Sequence, residues 1–270
     1  MPGARDGTDR SAFAVQYARE YDGSYGPFKN YGREARFIHS MVRKFGCGCR
    51  VLDIACGTGS HLVELAQTGL QCTGADINPE MLALTKAKAK QCNVEVNVLP
   101  IDMRDMEAFV ADGTFDAVLN LFYVFQNVIF HSGQQRTFFR VVRNLLKPEG
   151  LFIIELLPEE NNLRLFPPGR HFEISRTALP DGGIMVVSST SVIIDETTKE
   201  LHFLYERRHP DARIERQITV SRMQRIFFED FLALVRETGF EPVELYGECD
   251  ETIPFSGDSR KLTAVLQRID

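Results

Sequence analysis

Three acidic residues and one small-residue turn carry the chemistry that this sequence makes legible. Asp53 precedes the run Ala55-Cys56-Gly57-Thr58-Gly59, Asp76 closes Gly74-Ala75-Asp76, and Asp102 follows Leu99-Pro100-Ile101. Gly57 and Gly59 have no Cβ, so the backbone can turn sharply and a ligand can lie directly against it. A carboxylate placed as Asp76 can accept both hydroxyls of a ribose, the geometry by which dinucleotide folds read that sugar. Asp102 can accept from an exocyclic amine. A dinucleotide pyrophosphate would want a third glycine three residues after Gly59. Leu62 stands there, so the turn suits some other ligand.

Such residues need strand ends to hold them. Val51 to Ala55 reads as a buried strand, and His61-Leu62-Val63-Glu64-Leu65-Ala66 opens a helix beyond the turn. Leu70–Ala75, Val94–Leu99, Phe115–Leu121 and Leu151–Leu156 read as further strands. Asn78-Pro79-Glu80 starts a helix with proline in its first turn. Another helix spans Gly133–Leu146 and ends at Lys147-Pro148-Glu149-Gly150. This alternation predicts an α/β, Rossmann-like fold with a mainly parallel seven-stranded sheet and helices on both faces.

The rhythm changes after Pro158. Arg170–Thr177, Ile184–Ile194, Leu201–His209 and Ile214–Phe227 read as an inserted antiparallel meander, with turn signals at Asp181-Gly182-Gly183 and Glu196-Thr197-Thr198-Lys199. A helix over Glu229–Thr238 and strands over Glu241–Tyr246 and Lys261–Arg268 complete the main sheet. Near the N-terminus, apolar groups at helical spacing predict helices over Phe13–Asp22 and Arg33–Phe45, separated by Gly23, Gly26 and Pro27. The expected organisation is a helical lid (1–45), a ligand-binding α/β domain (46–167 and 228–270) and an inserted β subdomain (168–227).

The 270 residues, 44% hydrophobic and 25% charged, have ordinary globular composition. A net charge of −6 disfavours a nucleic-acid partner. No apolar stretch approaches the roughly 20 residues that span a bilayer. No apolar leader is visible either, so a cytoplasmic, membrane-free protein is expected. Six cysteines without zinc or redox spacing read as free thiols, and no metal site is expected. His131, His171, His202 and His209 are base candidates, although a lone histidine is more often structural. His171, opening the insert, is taken as the catalytic candidate among them, while His61 reads as structural. Glu155, at the end of a strand, could orient an amine or be solvated. Arg207, Arg208, Arg213 and Arg216 read as a solvated hairpin face or as the counterpart of an acidic substrate.

Together the turn, Asp76 and Asp102 resemble those of class I S-adenosylmethionine-dependent methyltransferases, over most of the chain outside the inserted hairpins. The resemblance implies S-adenosyl-L-methionine as cofactor and S-adenosyl-L-homocysteine as product. It implies that Ala55, Cys56, Gly57 and Gly59 hold the methionyl part, Asp76 the ribose and Asp102 the adenine amine. Ile77 and Met103 match residues against the adenine ring, Leu121 and Phe122 match positions beside the methionyl chain, and Met81 is grouped with these cofactor-binding positions.

Tyr21-Asp22-Gly23-Ser24-Tyr25 and Lys29-Asn30-Tyr31 are similar to the lid of small-molecule enzymes, notably amino-sugar N,N-dimethyltransferases and glycine N-methyltransferase-like enzymes. This implies Tyr21, Tyr25 and Tyr31 over the cofactor, with Tyr21 also catalytic. Asn127 stands where some amino-sugar enzymes have a histidine. The expected reaction is methyl transfer to the amine of a small molecule such as an amino sugar. Alternatives are O- or C-methylation of a hydrophobic natural-product intermediate, an NAD(P)-dependent dehydrogenase, and a non-catalytic cofactor-binding protein. The insert is expected to form a platform over the acceptor or a homodimer surface beside it.

Overall fold

The computed structural model describes Ala18, Tyr21, Asp22 and residues 29–106, 111–179 and 181–269. Most of the helix expected over Phe13–Asp22 lies outside these residues; Ala18, Tyr21 and Asp22 are helical. Helix α1 (Tyr31–Lys44) starts at Asn30, whose side chain accepts the Arg33 N–H and so satisfies one of the free donors of the first turn. Strand β1 (Arg50–Ile54) leads through the glycine turn into α2 (Ser60–Gln67). Then come β2 (Gln71–Ala75), α3 (Pro79–Gln91), β3 (Val96–Leu99) and β4 (Phe115–Asn120). Asn78 caps α3 in the same way, with Pro79 at the position where a missing N–H costs nothing.

Two short helices were not legible in the sequence pattern. They are α4 (Val124–Val128), directly after β4, and α6 (Glu159–Leu165), after β5 (Leu146–Leu156). Between them α5 (Ser132–Leu145) packs under the sheet. Strand β5 begins five residues earlier than the pattern suggested. Leu146 is already extended and pairs with Phe115, and Glu149, at φ +61°, shifts the register before Leu151 pairs with Ala117.

The main sheet has the order β10-β11-β5-β4-β1-β2-β3, where β10 is Phe240–Tyr246 and β11 is Leu262–Arg268. Pairing is parallel from β5 to β3, and β11 runs antiparallel to both β5 and β10. Apolar clusters cover the two faces. One packs α5 and α7 (Phe228–Glu237) around Phe139, whose ring meets Phe125, Phe138, Phe152, Phe231 and Phe240 edge-on. The other packs α1 and α2 through Ile38, Met41, Leu62 and Leu65. Fully burying one such side chain stabilises the fold by about 1.5–3 kcal/mol.

Strands β6 (His171–Ala178), β7 (Ile184–Ile193), β8 (Thr198–Arg208) and β9 (Ile214–Gln224) form a separate antiparallel sheet in sequence order. Side chains alternate faces along a strand, so register decides what each face sees. Lys199 pairs with Glu159 of α6, and the Ser221 hydroxyl donates to Asn127 Oδ1 of α4. That face is turned towards the main domain. Among the described residues, no helix is long and apolar enough to cross a membrane.

Candidate functional site

A small cleft, open to solvent, lies at the carboxyl ends of β1 and β4. This is where open α/β sheets bind ligands, between strands whose connections diverge to opposite faces. Its floor is Asp53, Ala55 and Cys56. One wall is Thr58, Ser60 and His61 of the turn and α2, and the other is Leu121, Phe122 and Val124 beyond β4. Tyr21, Lys29 and Tyr31 complete it from the N-terminal side.

The turn is built by backbone geometry that side chains resist. Gly59 has φ +72°, and a Cβ there would fall 2.4 Å from Thr85 Cγ2, so glycine is required twice over. Ala55, at φ +64°, takes the same left-handed region without that freedom, as do Phe122 and Tyr123 at φ +60° and +61°. Each costs roughly 1–2 kcal/mol, and such strain gathers at functional sites. Cys56 packs its Sγ where a Cβ on Gly74 would sit. Burial, then Asp53 and Asp76, push its thiol up, so it is a neutral packing group.

The acids differ sharply in environment. Asp53 is buried and lines the cleft, and its carboxylate accepts no hydrogen bond from the described residues. Burial pushes its pKa up to about 7, against the pull of His61 and with the push of Asp76. Asp76 takes the Gly57 N–H at 2.9 Å on Oδ2 and the Asn78 N–H at 2.8 Å on Oδ1. Burial raises its pKa while those donors lower it. Each oxygen retains a lone pair for a further donor. Asp102 is clasped by its own neighbour Arg104, which holds its carboxyl below the usual range.

A second layer of charge lies behind the cleft. Lys29 Nζ reaches Glu34 at 2.9 Å and Glu155 at 3.3 Å, and stands 4.9 Å from the Phe122 ring centre. Burial would lower the Lys29 pKa, but Glu155 and Glu34 hold it above the usual lysine range. Glu34 also meets His61 Nε2 at 2.6 Å, and Tyr31 sits edge-on to that imidazole at 4.8 Å. At the rim Asp22 accepts the Thr58 hydroxyl at 2.6 Å and pairs with Lys88 at 2.7 Å.

The family of the methyltransferase domain matches residues 51–150, the span from the glycine turn through β4 into β5. Over those residues the chain carries a methyltransferase domain. A putative methyltransferase of Geobacillus sp. (strain WCH70) is 24% identical over 83% of this chain and 87% of its own length. The ubiquinone biosynthesis O-methyltransferase of Cereibacter sphaeroides is 37% identical over 41% of the chain, which spans only 42% of that relative. The solved structure of an S-adenosylmethionine-dependent methyltransferase from Clostridium acetobutylicum matches with a TM-score of 0.76 at 15% identity, covering 94% of this chain and 98% of that one. SAM-bound CalS10, an amino pentose methyltransferase from Micromonospora echinaspora, matches with a TM-score of 0.69 at 21% identity, covering 99% of each. At these identities the structural likeness is one of fold.

In this methyltransferase domain the sequence-nominated residues separate into groups. Tyr21, Tyr31, Ala55, Cys56, Leu121 and Phe122 converge on the cleft. Gly57 and Asp76 are joined to each other beside it, and Gly59 ends the turn. Met81 and Met103 are buried, whereas Ile77, next to Asp76, is 65% exposed. Tyr25 lies outside the described residues.

The structure does not bring His171 to the cleft. It is exposed and bonds Thr190 at 3.1 Å, in the row Thr190, His202, Val220. That row is on the opposite sheet face to Lys199 and Ser221, which touch the main domain. Glu155 is buried and fully engaged, so it is neither solvated nor free to orient an amine. Sequence reasoning set Lys29 and Glu34 in the lid-like segment without a role of their own and gave none to Val124; the Lys29 contact with Glu155 spans 126 residues, which no local pattern announces.

Proposed function

We propose that the chain transfers a methyl group from S-adenosylmethionine to an amine on a small molecule, with an amino sugar as the model acceptor. The observation that carries this reading is the pairing of Asp53 with Asp76. One is a buried acid facing the cleft with no hydrogen-bond partner among the described residues, as a site for a cationic ligand requires; the other is a strand-end carboxylate with lone pairs left for vicinal hydroxyls. S-adenosylmethionine fits that donor set and supplies, when bound, an electrophilic methyl on a sulfonium.

On this reading Asp76 takes the ribose and the turn from Ala55 to Gly59 the methionyl part. Asp102, Ile77, Met81 and Met103 surround the adenine. Leu121, Phe122 and Val124 form an apolar wall that disfavours an ammonium, so an acceptor amine entering there is held neutral and nucleophilic. Tyr21 and Tyr31 cover the cleft and orient the acceptor, in keeping with the part that positioning plays in a displacement. The amino pentose methyltransferase CalS10 supports the amine over a hydroxyl. The insert (168–227), turning its Ser221 face to the main domain, serves as acceptor platform. His171 has no part in the transfer.

The test is titration calorimetry with S-adenosylmethionine, followed by mass spectrometry of amino-sugar acceptors for the gain of one methyl. Asp76→Ala is expected to weaken cofactor binding by about 1.5–3 kcal/mol, the worth of hydrogen bonds to a charged group. Unchanged affinity in a folded variant would overturn the ribose assignment.

A further inference from the structure

Glu155 ends β5 beneath the cleft, and its side chain is wholly buried. Its Oε2 accepts the Phe122 N–H at 2.8 Å and Lys29 Nζ at 3.3 Å. Its Oε1 accepts Lys261 Nζ at 3.0 Å and faces Cys249 Sγ at 3.5 Å. A carboxylate offers about four acceptor sites, and all four are taken. Glu155 therefore has neither exposure nor a spare lone pair with which to touch a ligand. Burial would raise its pKa, but Lys29 and Lys261 hold it well below the usual carboxylate range, so it stays charged.

The two oxygens serve different parts of the molecule. Oε2 faces the cleft: it fixes Phe122, the first of two consecutive left-handed residues, and Lys29, both of which line the cavity. Through Lys29 the same edge continues to Glu34 and His61. Oε1 faces away: Lys261, which does not line the cleft, carries the contact on to Glu248 at 2.6 Å in the C-terminal segment. The lysines are similarly hidden, their side chains 5% and 9% exposed. Loss of either should disturb folding alike, yet only one of them reaches the cavity.

We infer that Glu155 is a positioning residue for methyl transfer, setting the cleft wall through Phe122 and Lys29 without contacting cofactor or acceptor. This rests on the proposed function, because it takes the cavity to be the cofactor site. Phe122 needs an acceptor at this point to hold its φ, and the Lys29 ammonium needs a second negative charge to stay where it is. A neutral side chain at 155 satisfies at best the first.

The test uses S-adenosylmethionine binding by calorimetry and thermal unfolding on the full chain. Glu155→Gln keeps the shape and an acceptor for Phe122 but loses the charge. It is expected to weaken cofactor affinity at least tenfold. Lys261→Met should lower the melting temperature yet leave affinity within threefold of the unaltered protein. If Glu155→Gln does not fold, the double variant Glu155→Gln/Lys261→Met, in which Lys29 keeps Glu34 and no lysine is stranded, carries the tenfold expectation. Unaltered affinity in the folded 155 variant, or equal weakening by Lys261→Met, would show a purely structural hub and overturn the inference while the proposed function stands. Failure of the unaltered protein to bind S-adenosylmethionine would overturn both.

Discussion

The two sheets of this molecule are held by different forces. The parallel sheet is sealed on both faces by apolar clusters, one of them a run of six phenylalanines in mutual contact. The antiparallel insert buries few apolar groups, mainly Val186, Val187 and Met223, beside Ser188, Ser189, Thr198, Lys199, Glu206 and Gln224. It is fastened to the main domain by Glu159, which meets both Lys199 and Arg225, and by Gln126, whose amide bonds the backbones of Leu157 and Gln224. The hydrophobic driving force is non-directional, whereas polar fastening is directional. The first makes a rigid frame for the cofactor turn; the second sets the insert in one orientation over α4.

That contrast can be broken first at Phe139. Phe139→Ala should cost about 3–5 kcal/mol and lower the stability of the whole chain in urea denaturation, since the cavity opens at the centre of the cluster. A loss below about 1 kcal/mol would mean that the phenylalanine cluster is not what holds the frame.

The next test concerns the exception within the frame. Buried Glu155 and Glu159 are each paired with two cations, but Asp53 has none within hydrogen-bonding reach among the described residues. Its folded-state pKa, about 7, lies above the usual aspartate value of 3.8, so the folded state binds the proton more tightly. For a raised acid the sign is the reverse of the common carboxylate case. The Asp53 contribution to stability is most favourable below about pH 4, falls as pH rises towards 7, and carries the full penalty above it. Asp53→Asn should therefore stabilise the chain at pH 8 by on the order of 4 kcal/mol and leave it nearly unchanged at pH 4. Equal effects at both pH values would dispose of the buried-charge account. A gain confined to high pH, together with weakened cofactor binding, would mark Asp53 as a group kept for ligand at the expense of the fold.

The smallest effect is expected at the fastening. Glu159→Gln should loosen the insert by about 2 kcal/mol, below the usual cost of breaking a buried pair because glutamine keeps hydrogen bonds and Arg225 is partly solvated. Proteolysis within 171–224 should speed up while the main sheet keeps its melting temperature. A fall in global stability instead would mean that the two sheets unfold as one unit.

Much of the frame was legible because parallel strands buried on both faces write themselves as apolar runs. Val51–Ile54 and Phe115–Asn120 are such runs, and the turn and acids were legible because they sit at strand ends. Helix α4 was not, since five residues of Val-Phe-Gln-Asn-Val hold too little of a helical period to show one. The start of β5 was hidden by Lys147-Pro148-Glu149-Gly150, which has turn composition but stays in the strand. The charge hub at Glu155 joins residues 126 and 106 positions away, and no local pattern encodes such partners. The place of His171 was illegible for a related reason. Which face a strand residue occupies depends on register, here its pairing with Thr190, which the sequence does not announce.

One small contact has a wider consequence. Pro158 and Ile226 form a parallel bridge, and the Glu159 N–H donates to the Ile226 carbonyl at 2.8 Å. The chain thus leaves the main domain and comes back at the same point in space. Topologically, the β6–β9 sheet is a closed excursion, while α6 stays tied to the frame through Asn161 and Asn162, whose amides bond the backbones of Ser256, Ser259 and Arg260. Strand order and register in the frame do not depend on the length of that sheet. A lineage built on this plan can change what stands over the cleft while inheriting the cleft itself unaltered.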